Sequence, residues 1–224
     1  MTLRSRALTG LTQFVLILGA LLFGSAWSLR YWQAWAFLAV FGASIAAITV
    51  YLLQNDPALL ERRLRAGASA EKEKSQKIIQ AVANIFFLSL IIVPGLDHRF
   101  SWSHLPVWLS VAGDSLVVIG LSIVFIVFRE NTYTSGVIEV APDQRVISTG
   151  PYRIVRHPMY AGAFVLIFGV PLALGSAWGL VCCLPLMAAI VVRLIDEERY
   201  LVRHLAGYAE YRERTRYRLI PGLY

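Results

Sequence analysis

Cysteine is almost missing from this chain. Its only two, Cys182 and Cys183, are adjacent inside an apolar run. That excludes a disulfide framework and offers no metal-ligand spacing, so no metal is expected and both read as small buried side chains. Charge is scarce too: 16% of residues are charged, against about 25% in an ordinary soluble domain. No internal repeat or low-complexity stretch is visible. Apolar residues are what the chain has, at 57% of 224 positions with a mean hydropathy of +0.60. This excludes a soluble domain and points to one integral membrane unit. The net charge of +7 comes from short basic segments between apolar runs. Such segments suit anionic headgroups and membrane orientation, and argue against a nucleic-acid partner.

Residues 8–28, 34–53, 78–96 and 105–128 are four apolar runs, each about long enough to cross a bilayer. The first follows Arg4 and Arg6 and reads as an uncleaved first helix rather than a signal peptide. Residues 158–176 and 178–195 are two further runs joined tightly at Gly175-Ser176-Ala177-Trp178, which predicts a helical hairpin. The expected fold is therefore all-α. It is a polytopic membrane protein of four single transmembrane helices, a C-terminal helical hairpin and an interfacial, cytoplasmic tail. The natural division is an N-terminal helical region, 1–133, and a C-terminal core, 134–224.

Between the runs, residues 54–77 are polar. Asp56 before Pro57 is a plausible helix cap, and Leu59, Leu60 and Leu64 can share one face. An amphipathic surface helix with Arg62, Arg63 and Arg65 reaching water is one reading, and a solvated charged loop is the other. The histidines of the connector 97–104 read as surface residues. Asp114, inside the fourth run, reads as structurally paired, because a lone carboxylate in a membrane is costly. The N-terminus and the segments 54–77, 129–157 and 196–224 carry nearly all the Lys and Arg, whereas the connectors near 30 and 97–104 carry one arginine each. By the positive-inside rule those basic segments, and both termini, face the cytoplasm.

The segment from Ser148 to Gly162, STGPYRIVRHPMYAG, is the chemically densest. Gly150-Pro151 predicts a turn. Pro158 suits the first turn of a helix and biases His157 away from helical angles. A helix start there leaves free amide groups and a partial positive charge, able to hold a carboxylate or phosphate. Gly162 lets a ligand approach the backbone. The competing reading is a membrane helix with a basic, aromatic interfacial collar. A second cluster ends the last apolar run: Arg193 and Glu197 are four residues apart on one helical face, with Asp196 and Tyr200 on the same side. An arginine just inside an apolar run is paired or functional.

Together these clusters carry a resemblance. Arg156-His157-Pro158-Met159-Tyr160-Ala161-Gly162, a hairpin, Arg193, Glu197-Glu198, Tyr208, Tyr211 and a terminal Ile220-Pro221 resemble the isoprenylcysteine carboxyl methyltransferase family. That family is related to the phospholipid N-methyltransferases. The resemblance is close over 134–224. It implies S-adenosylmethionine as the methyl donor and a lipophilic or prenylated acceptor delivered by the bilayer. It implies donor contacts from His157, Pro158, Met159 and Tyr160, from Tyr152, and from the segment holding Gln144, Val146 and Ile147, beside the approach that Gly162 offers. Glu197 or its neighbour Glu198 matches the acidic donor-binding residue, and Arg193 matches the arginine on the substrate side, the expected catalytic position. Carboxyl O-methylation is the first functional expectation. Lipid N-methylation, an NADPH-dependent sterol-type reductase and a non-enzymatic protein that kept the fold are the alternatives.

Overall fold

The computed structural model describes residues 2–64, 74–138, 140–141 and 143–223, and all its regular structure is helical. Five helices are long and apolar enough to cross a membrane: α1 (Leu3–Ala26), α2 (Trp32–Asn55), α4 (Lys74–Phe100), α5 (Val107–Glu130) and α7 (Ala177–His204). A sixth apolar helix, α6 (Pro158–Ala173), has 16 residues, or about 24 Å of length. Two short helices, α3 (Pro57–Leu64) and α8 (Tyr208–Arg214), complete the all-α polytopic architecture.

Chain capping is local and conventional. The Thr2 hydroxyl accepts from Ser5 N at 3.2 Å and opens α1, and Ser176 does the same for α7 through Gly179 N at 2.9 Å. Asp56 caps α3, its carboxylate accepting from Leu59 N at 2.9 Å. At one end of the bundle Ala7, Leu52, Leu59, Leu60 and Phe128 form a buried cluster, with Met159 packed against it. Those residues come from the starts of α1, α3 and α6 and the ends of α2 and α5, so the spans alternate in direction. At the opposite end Asp97 is buried, accepting from Ser103 N at 2.7 Å and from the hydroxyls of Ser103 and Ser176 at 2.6 and 2.5 Å.

The tightest packing joins α5 and α6. A side chain at Gly113 would place its first carbon 2.1 Å from the backbone nitrogen of Ala173, and one at Gly120 would lie 2.7 Å from the carbonyl of Gly162. Gly162 and Gly169 meet α5 equally closely, each within 2.9 Å of a facing glycine carbonyl. Small residues at a membrane helix interface let backbones approach and gain dispersion contact. Gly162 is thus occupied by helix packing.

Three local expectations change. The last helix runs nine residues beyond the apolar run, to His204, and stops before Gly207, whose φ of +82° breaks it from α8. Arg62 and Arg63 do not simply reach for water. Arg62 donates to the Thr132 carbonyl and hydroxyl, and Arg63 donates to the Ser135 carbonyl at 2.7 Å and lies over the Phe128 ring at 5.2 Å. Arg65 and residues 66–73 lie outside the described residues. Asp114 Oδ1 is buried without a hydrogen-bond partner among the described residues, so the pairing expected there is missing on that oxygen.

Candidate functional site

The ends of α5 and α7, the start of α6 and the segment 131–157 meet around one cleft at the basic end of the bundle. Its volume is about 870 Å³, solvent-filled mouth included. A turn prepares the entry to α6. Gly150 takes a φ of +54° against the Glu130 side chain, and the 3-10 turn Gly150–Arg153 follows. His157 then sits at the N-cap of α6 with extended φ of −125°, and Pro158 occupies the first helical position.

Of the twelve residues singled out from the sequence, ten line this cleft: Gln144, Val146, Ile147, Tyr152, His157, Pro158, Met159, Tyr160, Arg193 and Glu197. Gly162 packs against α5 instead. Glu198 points away and is 3% exposed. The two neighbouring glutamates therefore do different work. Glu197 faces the cleft, and the Tyr160 hydroxyl donates to its Oε2 at 2.5 Å. The same hydroxyl accepts from Arg193 Nε at 3.3 Å, so Tyr160 bridges the acidic and basic residues that α7 presents one turn apart. Arg193 is further held by the side-chain oxygens of Gln76 and Gln80, both at 3.1 Å, and by the Gly136 carbonyl at 3.3 Å.

Glu198 is the hub beneath the cleft. It accepts from Arg156 Nε at 2.6 Å and Arg218 Nε at 2.9 Å, and lies 3.2 Å from His157 Nε2. Arg156 also donates to the carbonyls of Thr215 and Arg216 at 2.9 and 2.8 Å. The backbone amides of Arg156 and His157 donate to the carbonyls of Tyr217 and Arg218, each at 2.9 Å. The C-terminal segment thus straps the residues that precede α6. A charged group this buried needs such partners, since an unpaired one is costly.

The opposite wall is aromatic. Tyr152, Tyr208 and Tyr211 pack with Leu205, and the Tyr211 hydroxyl donates to the Tyr152 carbonyl at 2.8 Å. Burial raises all three phenol pKa values, Tyr211 to about 12. They stay protonated donors at neutral pH. Sequence reasoning missed two contributors. Asn131 follows the last turn of α5, lines the cleft and donates to the Tyr152 hydroxyl at 2.9 Å. Thr134 lines it too, and its hydroxyl and that of Tyr208 are buried with no hydrogen-bond partner among the described residues. An Asn just after a helix end signals only a cap. A cleft role for it depends on Tyr152, 21 residues away.

Residues 108–207 match the phospholipid methyltransferase family. The match spans a little under half of the chain. It begins at the start of α5 and ends at the Gly207 break, so it holds the Arg156–Gly162 motif, α6 and the Arg193–Glu197 face. The matched segment excludes α3 and the C-terminal strap, both of which touch the cleft or its supports. A relative, the uncharacterized protein YpbQ of Bacillus subtilis (strain 168), is 27% identical over 173 residues, covering 75% of this chain and 95% of that protein.

Proposed function

We propose that the chain transfers the methyl group of S-adenosylmethionine to a lipid acceptor at the membrane surface. The observation that carries this is the convergence of the His157–Tyr160 helix start and Glu197 on one cleft inside a methyltransferase-family segment. When bound, S-adenosylmethionine supplies an electrophilic methyl group on a sulfonium cation. The residues present fit such a ligand. Two buried hydroxyls, on Thr134 and Tyr208, lack partners among the described residues, and a polar ligand can supply them. Glu197 can accept from ribose hydroxyls or an ammonium group. The exposed amides at the start of α6 suit a carboxylate, and the tyrosine faces suit a cation.

Arg193 is rigidly held beside Tyr160 and orients the anionic part of the acceptor. Alignment of acceptor and donor supplies much of the rate in an in-line displacement. A carboxylate acceptor needs only positioning. An amine must first lose a proton, and Glu197 through Tyr160 is the nearest acceptor system in the cleft. The name of the matched family favours a phospholipid acceptor as strongly as the Arg156–Gly162 motif favours a prenylated carboxylate. The positive-inside rule supports a cytoplasm-facing cleft, because the basic segments surround it. Calorimetric titration of the detergent-purified protein with S-adenosylmethionine and, separately, NADPH tests the reading. Saturable binding of the first alone is the expected result, and binding of NADPH alone overturns it.

A further inference from the structure

One wall of the cleft is the irregular segment that leaves α5. Asn131, Tyr133, Thr134, Ser135 and Val137 all line it. A backbone stretch with no helix or sheet of its own needs outside partners to hold one shape. Several of them come from α3, which lies outside the matched residues 108–207. Arg62 donates to the Thr132 carbonyl and, at 3.0 Å, to the Thr132 hydroxyl, and that hydroxyl donates to Asp56 at the cap of α3. Three residues further on, Arg63 donates to the Ser135 carbonyl at 2.7 Å and lies over the Phe128 ring. The helix that carries these arginines is itself seated. Leu59 and Leu60 are buried in one cluster with Leu52 and Phe128, against which Met159 of the cleft packs.

Thr134 sits between the two anchored positions. It is 8% exposed, it lines the cleft, and its hydroxyl has no hydrogen-bond partner among the described residues. A buried hydroxyl left unpaired lowers stability. The chain nevertheless fixes this one in the wall of a cavity, by fastening the backbone on either side of it. Tyr208 of α8 brings a second buried, unpartnered hydroxyl to the same cleft. Two separate elements thus present unmet hydrogen-bonding capacity to one space.

We propose that the Thr134 hydroxyl binds the methyl donor, and that Arg62 and Arg63 of α3 are the positioning residues that hold it in place. This rests on the methyl-transfer reading above. A hydroxyl both donates and accepts, so it suits the amino-acid or ribose groups of S-adenosylmethionine. The donor site then includes a helix from the N-terminal part of the chain, which touches the ligand only through the segment it clamps.

Calorimetric titration of the detergent-purified full chain with S-adenosylmethionine tests this, alongside thermal melting. Thr134→Val keeps the shape and removes the hydroxyl. It should weaken binding about three- to tenfold without lowering the melting temperature, because the fold loses no hydrogen bond. Thr134→Ser should restore the affinity. Arg62→Lys/Arg63→Lys keeps the charge and loses the planar forks. It should weaken binding to a similar degree, and adding Thr134→Val should weaken it little further, since the arginines act through Thr134. Should the lysine pair fail to fold, Arg63→Lys alone carries the same comparison. Unchanged affinity in Thr134→Val overturns the contact, and so does a loss that Thr134→Ser does not restore. Fully additive losses overturn the positioning role. If the wild type binds no S-adenosylmethionine, the methyl-transfer reading fails and the donor contact falls with it. Hydrogen exchange at the amides of residues 132–136 in the ligand-free chain then decides the clamp. Faster exchange in the arginine variant sustains it, and unchanged exchange removes it.

Discussion

Two adjacent glutamates on α7 have opposite surroundings. Glu197 faces the cleft and Glu198 sits beneath it among Arg156, His157 and Arg218. Glu197→Gln keeps the shape and removes the charge. It should leave thermal unfolding unchanged and weaken donor binding by about ten- to a hundredfold, the cost of a charge-assisted hydrogen bond. Glu198→Gln strands the buried Arg156. It should lower stability by about 3–5 kcal/mol, read as a lower detergent melting temperature. The reverse pattern would move the donor contact to Glu198. A second residue-scale expectation concerns alkaline pH. Tyr152, Tyr208 and Tyr211 have folded pKa values above the ordinary 10, so their protonated forms are stable in the fold. Unfolded phenols ionise first as pH rises past 10. The stability these groups contribute is complete below pH 10 and declines from there toward Tyr211's value of about 12. Ultraviolet titration should show phenolate absorbance from the exposed tyrosines before these three.

At the scale of elements, α5 and α6 act as one unit because of their glycines. Gly113→Ala drives a carbon to 2.1 Å from backbone at Ala173, which no side-chain rotation relieves. A loss of about 1–3 kcal/mol follows from overpacking of this kind. Gly24 in α1 has nothing within 4 Å of an added carbon, so Gly24→Ala should be neutral or slightly stabilising in the same melting assay. The C-terminal strap makes a separate prediction. Ending the chain after Arg214 removes four carbonyl partners of Arg156 and His157. Donor binding should be lost while helical circular dichroism is retained, and a truncated chain with intact affinity would reduce the strap to decoration. Elements were the most legible level of the sequence. Hydropathy runs exposed every long helix, and Pro158 marked the start of α6. Hydropathy could not place the end of α7, because polar residues continue the helix to His204. Nor could spacing reveal what Arg63 or Glu198 touch: Ser135 is 72 residues from Arg63, and Arg156 is 42 from Glu198.

At the scale of the whole molecule, the alternation of spans puts the cleft, α3 and α8 at one end and the Asp97 network at the other. A Cys182→Ala/Cys183→Ala background carrying Ser148→Cys or His104→Cys tests the orientation. In sealed inverted vesicles an impermeant thiol reagent should label position 148 and spare position 104. Equal labelling of both would contradict the topology. The overall charge pattern pointed to this end, and the ten cleft residues named from sequence came from four separate segments that only folding brings together. What remained hidden were contacts through α3 and α4, whose polar residues resemble any solvated loop until a partner is placed against them.

The short helix α6 has a further consequence. At about 24 Å it falls short of a hydrocarbon layer about 30 Å thick, while its neighbours α5 and α7 have 24 and 28 residues. Tyr160, in its first turn, meets Arg193 and Glu197, and α7 runs on to His204, so the start of α6 lies below the end of α7. The walls rise past it and form a well sunk into the leaflet, with His157 and Tyr160 at its floor. Such a well is open to water from above while its rim stays level with the headgroups. Under the proposed reaction, a donor from water and an acceptor held in the membrane meet there without either leaving its own phase.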